Sequence, residues 1–244
     1  MTTIFPGADC STPPTPVMSG LCVWLDADTV PAGAGTTMTD RVNGYVFNGS
    51  FTRDLAIGGT PSITLNGVSD LLLSSAVITQ LTGISGYTII AGVTHAANIA
   101  VPTLARYGAP GAPLVGGFSV FRAFVGGQIY ISNAVVGDVG LAYGASLGPM
   151  LTPEVWAFYG DMALPTNEFG VNQKNCAPQA MSAFANANNA SVFAAHPLLF
   201  GGSGYAGDFW EGSFTQIRVY DHVLTGPESA SEQASIALAS NIVW

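Results

Sequence analysis

The chain has 244 residues, 48% hydrophobic and only 9% charged, where an ordinary soluble domain carries roughly 25% charge. Fifteen acids against six Lys plus Arg give a net charge of −9, and Lys174 is the only lysine. No basic cluster exists to neutralise a nucleic-acid backbone or to hold an anionic membrane surface. Mean hydropathy is +0.40, yet Gly, Pro, Asn or Thr breaks every apolar run well short of the ~18 residues that a spanning helix needs, so no membrane insertion is expected.

Residues 1–19 read as a Pro/Thr-rich N-terminal arm. The opening MTTIFPGADCSTPPTPVMSG has no basic n-region and no continuous apolar h-region, so export by a Sec signal is not expected. Turn residues then recur at the spacing of an all-β protein. Strands are predicted at LCVWLDA (21–27), GYVFNGSF (44–51), SITLNG (62–67), LLLSS (71–75), YTIIAGVTH (87–95), GFSVFRAFV (117–125) and QIYISNAVV (128–136). Further strands are expected at VWAFYGDM (155–162), NEFGVNQK (167–174), PLLFGG (197–202) and FTQIRVYD (214–221). Alternation in 117–125 puts Phe118, Val120, Arg122 and Phe124 on one face, with GGQ (126–128) as a hairpin turn. The Ala/Asn-rich stretch 182–195 reads as a loop. A C-terminal helix should begin at a capping box, Thr225 with Glu228, and pack through Ala230, Ala234, Leu238 and Ile242. No repeat or composition shift divides 20–244, which reads as one domain. Cys10, Cys22 and Cys176 form no CxxC pair. A Cys10–Cys22 bridge stays open, with buried free thiols the favoured state.

The stretch FWEGSFTQIRVYDHVLTGPE (209–228) resembles the closing motif of concanavalin A-like lectin/glucanase (laminin-G-like) domains. Trp210, Gly212, Phe214, Ile217, Arg218, Val219, Tyr220, Leu224, Thr225 and Glu228 occupy its positions. GLCVWLDADTV (20–30) is similar to the opening strand of that family, and SITLNGVSDLLLSS, GYTIIAGVTH, EVWAFYGDM with EFGVNQK, and PLLFGGSGYAGDFWEG follow in the family's order. Gln216, His222 and Lys174 depart from the pattern at mostly structural positions. The resemblance covers about 20–244 and implies an antiparallel two-sheet jelly-roll sandwich with a short C-terminal helix.

No catalytic residues are assigned. The E-x-D-x-x-E signature of a glucanase on this fold is absent. The nearest carboxylate sets are Asp26 with Asp28 and Asp208 with Glu211. Asp26 and Asp28 are the metal candidates to test, but they also suit a strand end and its turn. No acidic loop is dense enough to commit to calcium, and no other cofactor is expected. GASLG (144–148) lacks the strand–helix context of a nucleophile elbow around Ser146. GSGYAG (202–207) is not followed by a helix that could hold a pyrophosphate. His95, His196 and His222 have no zinc spacing. Glycan binding, the usual activity of this fold, needs aromatic platforms and hydrogen-bonding groups. The candidates are Tyr205, Asp208, Trp210, Asn172 and Tyr107, with Tyr205 first because the motif gives it no packing role.

Few Lys or Glu residues guard the strand edges, so much of the surface is expected to be covered in an assembly, such as a homotrimer. An extracellular type of fold without a Sec signal points to a phage-like virion. The leading expectation is therefore a non-enzymatic virion structural protein: a capsid decoration protein, head fibre or tail-associated adhesin. It would partner the major capsid or tail protein and touch host glycans. The alternatives are a glycan-binding lectin-like module of an extracellular or cell-surface protein and, less favoured, a glycoside hydrolase.

Overall fold

The computed structural model describes residues 17–95, 103–112, 116–122, 128–135, 138–146, 152–163, 173–174, 177–178, 184–185, 192–205 and 207–243. Residues 1–16, most of the expected N-terminal arm, lie outside this set, as do Cys10, Cys176, Asn172 and the GGQ turn apart from Gln128. In chain order the strands are β1 Leu21–Asp26, β2 Gly33–Thr39, β3 Val46–Ile57, β4 Thr60–Asn66, β5 Leu72–Ser74 and β6 Gly86–His95. They continue with β7 Thr103–Tyr107, β8 Gly117–Arg122, β9 Gln128–Val135, β10 Asp138–Ser146 and β11 Glu154–Asp161. The last are β12 Gln173–Lys174, β13 Ala177–Pro178, β14 Phe184–Ala185, β15 Leu198–Phe200 and β16 Glu211–Tyr220, before the helix α1 Gly226–Ala239.

All strand pairs are antiparallel, but they do not form two separate sheets. Hydrogen bonding is continuous along β13-β12-β11-β6-β16-β4-β3-β5-β15-β7-β8-β9-β10-β14, with β1 added to β16 and β2 to β3. The sheet is nearly closed and barrel-like, which corrects the expected clean two-sheet sandwich. The cause lies in two long strands. On one edge β3 pairs first with β5 through Phe47–Gly49 and then with β4 through Thr52–Ile57. β16 likewise pairs with β4 through Glu211–Phe214 and with β1 through Gln216–Tyr220. A strand that changes partner along its length carries the ladder around a corner instead of ending it. At the corner Gly49 approaches the β5 entry so closely that a Cβ would stand 1.6 Å from the Leu71 carbonyl oxygen.

The main core gathers Val23 and Leu25 of β1, Phe47 and Phe51 of β3, Tyr87, Ile89, Ala91 and Val93 of β6, and Ile217 and Val219 of β16. Trp156 and Phe158 of β11 and Phe118 and Val120 of β8 complete it from either side. The opposite face of β6, β11 and β16 is also buried. Ile90, Val155, Ala157, Tyr159 and Tyr220 form a second cluster with Ile236, Ala237 and Ile242. These three strands therefore read as near-continuous apolar runs, which is the pattern of strands covered on both sides. The helix sits close because Gly92 offers no side chain beneath it. A Cβ there would meet Ile236 Cγ2 at 2.9 Å.

α1 starts as expected: the Glu228 carboxylate accepts from the Thr225 N–H at 2.8 Å and from its hydroxyl at 2.7 Å. These bonds hold the Glu228 carboxyl below its usual value. The buried face differs from the expected one. Ser229, Ala230, Gln233, Ala234, Ile236 and Ala237 are covered, while Leu238 is 74% exposed. With ~3.6 residues per turn each step of four overshoots by about 40°, so Leu238 has rotated well off the Ala230 stripe. Ile242 is buried beyond the helix end, after the chain turns at Asn241 (φ 51°).

Beneath α1, an ion pair between Arg218 and Glu232 is closed to solvent, with side chains 3% and 0% exposed. Arg218 also donates to Gln216 Oε1 at 2.7 Å and to Ser235 Oγ at 3.3 Å. Glu232 takes the Val17 N–H on its other oxygen. A buried ion pair contributes less net stability than its contacts suggest, but removing one partner strands the other charge.

Two outcomes follow for stability. Arg218→Met or Glu232→Met alone should cost about 3–5 kcal/mol in urea unfolding, whereas the double substitution recovers most of that loss; equal losses in all three would refute the pairing. Gly49→Ala should cost about 1–3 kcal/mol through overlap with the Leu71 carbonyl, and a denaturation midpoint unchanged from the parent would contradict the corner geometry.

Candidate functional site

The metal candidates come apart in the structure. Asp26 ends β1 and is 4% exposed, whereas Asp28 stands exposed in a 3-10 turn, Ala27–Thr29. They do not share a strand face. One Asp26 oxygen accepts the Asp28 N–H at 3.0 Å, and the other is ion-paired with Arg41. A guanidinium occupies the place that a cation would need, and no three His, Cys, Asp or Glu side chains converge among the described residues. Next to this pair, Trp24 lies between two guanidiniums, with Arg41 Cζ 4.4 Å and Arg218 Cζ 4.6 Å from its ring centroid. Trp24 and Arg218 are also direct partners across the β1–β16 ladder. The residues that carry the family resemblance at the two ends of the chain thus meet as a structural joint. Cys22 nearby is a buried free thiol, pushed up to about 12 by burial and then by Asp221 and Asp40.

Two of the aromatic glycan candidates belong to the core. Trp210 is 2% exposed, donates its indole N–H to the Thr94 carbonyl at 3.2 Å and meets His95 edge-on. Tyr107 is fully buried on β7, stacks with Phe118 and donates its hydroxyl to the Ala194 carbonyl at 2.9 Å. Neither presents a face to a ligand. Both lie in the main buried core. Asn172 lies outside the described residues. Ser146 is the last residue of β10, paired with Gln128.

Tyr205 and Asp208 remain, and they stand together on the loop between β15 and β16. The loop is pinned at both ends to β7: Gly201 N–H donates to the Leu104 carbonyl and Thr103 N–H to the Asp208 carbonyl, each at 2.9 Å. Gly201, Gly204 and Gly207 all have φ near +85° to +89°, which glycine adopts without a Cβ penalty. This backbone lifts Tyr205 to 43% exposure. It is the one aromatic among the exposed large side chains of the described residues. The Asp208 carboxylate turns back onto Ser203, accepting from its hydroxyl and, at 3.4 Å, from its N–H. Burial pushes the Asp208 carboxyl above its usual value, while Ser203 and the Arg106 charge pull the other way.

Beneath the loop lies Arg106 of β7, which sequence reasoning missed. It is 5% exposed, and its Cζ sits 5.7 Å from the Tyr205 ring centroid. The signal was available: TLARYG places one of only six cations inside an apolar run. The arrangement offers an open aromatic ring, a carboxylate acceptor and a buried cation within one rim loop, which can bind a polar ligand with one flat apolar face.

A raised carboxylate pKa means that the folded state disfavours the charged form. Stability from this group is therefore complete below its ordinary value of 3.8 and declines as pH rises through the folded value. Unfolding of the parent and of Asp208→Asn, compared from pH 3.5 to 7, should show the parent losing ground as pH rises; a parent that gains ground would reverse the assignment.

No family model matches the chain, and no curated protein matches it in sequence. Solved structures do. A sialidase of Trypanosoma rangeli in complex with the inhibitor DANA superposes with TM-score 0.65 at 14% identity, covering 96% of this chain and 37% of the sialidase. The carbohydrate-binding module CBM40 of a Ruminococcus gnavus sialidase, bound to α2,3-sialyllactose, superposes with TM-score 0.52 at 12% identity. That match covers 70% of this chain and 95% of the module. The chain thus spans just over a third of the sialidase, and at these identities the likeness is one of fold. These neighbours overturn two expectations. The two are a sialidase and a sialidase module, so the reading as a capsid decoration protein, fibre or tail adhesin is withdrawn. The expectation of a non-enzymatic protein falls with it, because the fold occurs in enzymes. Among the described residues no helix is long and apolar enough to cross a membrane.

Proposed function

We propose that the chain is a glycan-binding module of lectin type, its site formed by the loop between β15 and β16. Tyr205 supplies the stacking platform and Asp208 the hydroxyl acceptor. The observation that carries this reading is the exposed Tyr205 ring, held beside Arg106 by a loop of positive-φ glycines, where the other described aromatics are buried or half-buried. The likeness to nearly the whole of a module whose structure holds sialyllactose supports it. On this reading the bent sheet is a jelly-roll sandwich whose layers share their corner strands, 20–244 is one unit, and the protein acts at a cell surface or outside the cell. Asn172 keeps its place as a candidate.

A second reading, cleavage of the bound glycan, is favoured by the sialidase neighbours. A glycan array with neutral and sialylated oligosaccharides tests the first. Binding should fall about tenfold or more in Tyr205→Ala while the melting temperature stays within a few degrees. A blank array, or a variant that binds like the parent, would sink the proposal. Release of free sugar from any glycan bound would establish the second reading beside the first.

A further inference from the structure

Six of the chain's residues are Lys or Arg, and two of the described arginines are ion-paired. Arg41 pairs with Asp26 and Arg218 with Glu232. Arg53 is half-buried, with its Nε covered and without an acceptor among the described residues. Arg106 is 5% exposed and has no carboxylate in ion-pair contact among the described residues. Among the described residues its Nε is buried without an acceptor, as is that of Arg218, and Nη2 of Arg106 donates to the Ala112 carbonyl. A guanidinium has five N–H donors in a planar fork, so the buried Nε–H is left for a further acceptor. Burying a charge in that state is costly unless an acceptor arrives.

The surroundings are built to hold it there. Arg106 lies across from Ser119 of β8 and Leu199 of β15, in the middle of three paired strands. The segment after β7 and the Tyr205 loop close over it backbone to backbone. Gly111 N–H donates to the Ser203 carbonyl at 3.0 Å, and a Cβ on Gly204 would stand 2.7 Å from the Gly111 nitrogen. Asp208, whose charge acts on Arg106, is turned onto Ser203 instead. On the open side the guanidinium has the half-exposed Tyr205 ring for a cover.

We propose that Arg106 is the anchor for the carboxylate of an acidic sugar, taken up beside Tyr205. The inference rests on the glycan-binding reading and narrows its ligand class. A carboxylate matches the guanidinium fork with two parallel hydrogen bonds, a geometry that an ammonium does not reproduce. In a protein of net charge −9 the preference for an acid comes from this contact and not from the overall field. Neutral sugars would use the ring and Asp208 alone.

Isothermal titration of the full chain with 3′-sialyllactose, lactose, N-acetylneuraminic acid and glucuronic acid tests this. The parent should bind sialyllactose about tenfold or more tighter than lactose, in line with a charge-assisted hydrogen-bond pair. Arg106→Lys should abolish that ratio, whereas Tyr205→Ala weakens both ligands and keeps it. Should Arg106→Lys fail to fold, phenylglyoxal labelling of Tyr205→Ala, read by peptide mass spectrometry, replaces it. Arg106 should then be modified, and N-acetylneuraminic acid should protect it; labelling unaffected by the acid refutes the anchor. Equal affinity for sialyllactose and lactose, unchanged in Arg106→Lys, overturns the acidic-sugar inference and leaves the glycan reading standing. No binding of any sugar removes both.

Discussion

The structure depends on the pairing of β1 with β16, which joins the first described strand to the last. Trp24 lies directly across from Arg218, and Asp26 from Gln216. On one side of the ladder Val23, Leu25, Ile217 and Val219 enter the main core. On the other, Arg218 reaches Glu232 of α1, and that same carboxylate takes the Val17 N–H. One buried ion pair therefore ties the start of the described chain, the closing strand and the helix together. Buried pairs of this kind specify geometry more than they add stability, because desolvation offsets most of the Coulomb attraction.

The low charge of the chain has a structural counterpart. β6, β11 and β16 are covered on both faces, by the main core and by α1. Strands in that position have no solvent side on which to carry Lys or Glu. Two of the described arginines are drawn inward, onto Glu232 or under the Tyr205 loop. Scarcity of charge thus reflects two-sided burial in part, which weakens the step from few charges to a covered assembly surface.

The same burial moves the site. The closing motif looked chemically rich, yet its Trp210, Phe214, Arg218 and Tyr220 are all consumed by packing. The metal candidates are consumed by Arg41 and a turn. What escapes is the segment just before β16, where glycines with positive φ replace packed side chains. Freed from strand alternation, that loop can hold a tyrosine open above a buried cation.

Antiparallel β structure, a capped C-terminal helix and the packing role of the closing motif were legible in the sequence, because alternation, turn residues and capping are local. β2 and β7 were not. GAGTTMT buries only Met38, and TLARY is buried at every position, so neither shows a period of two. The helix start was readable at Thr225 and Glu228, but its buried face was not, since a small angular drift decides what meets the sheet. Tyr205 stood out by lacking a packing role, and among the described residues it is the aromatic left exposed. The continuity of the sheet around its corners, the fate of Tyr107, Trp210 and Asp26, and the presence of Arg106 under the loop were decided by tertiary structure alone. Each depends on which distant strand arrives beside it, and no local pattern along the chain encodes that neighbour.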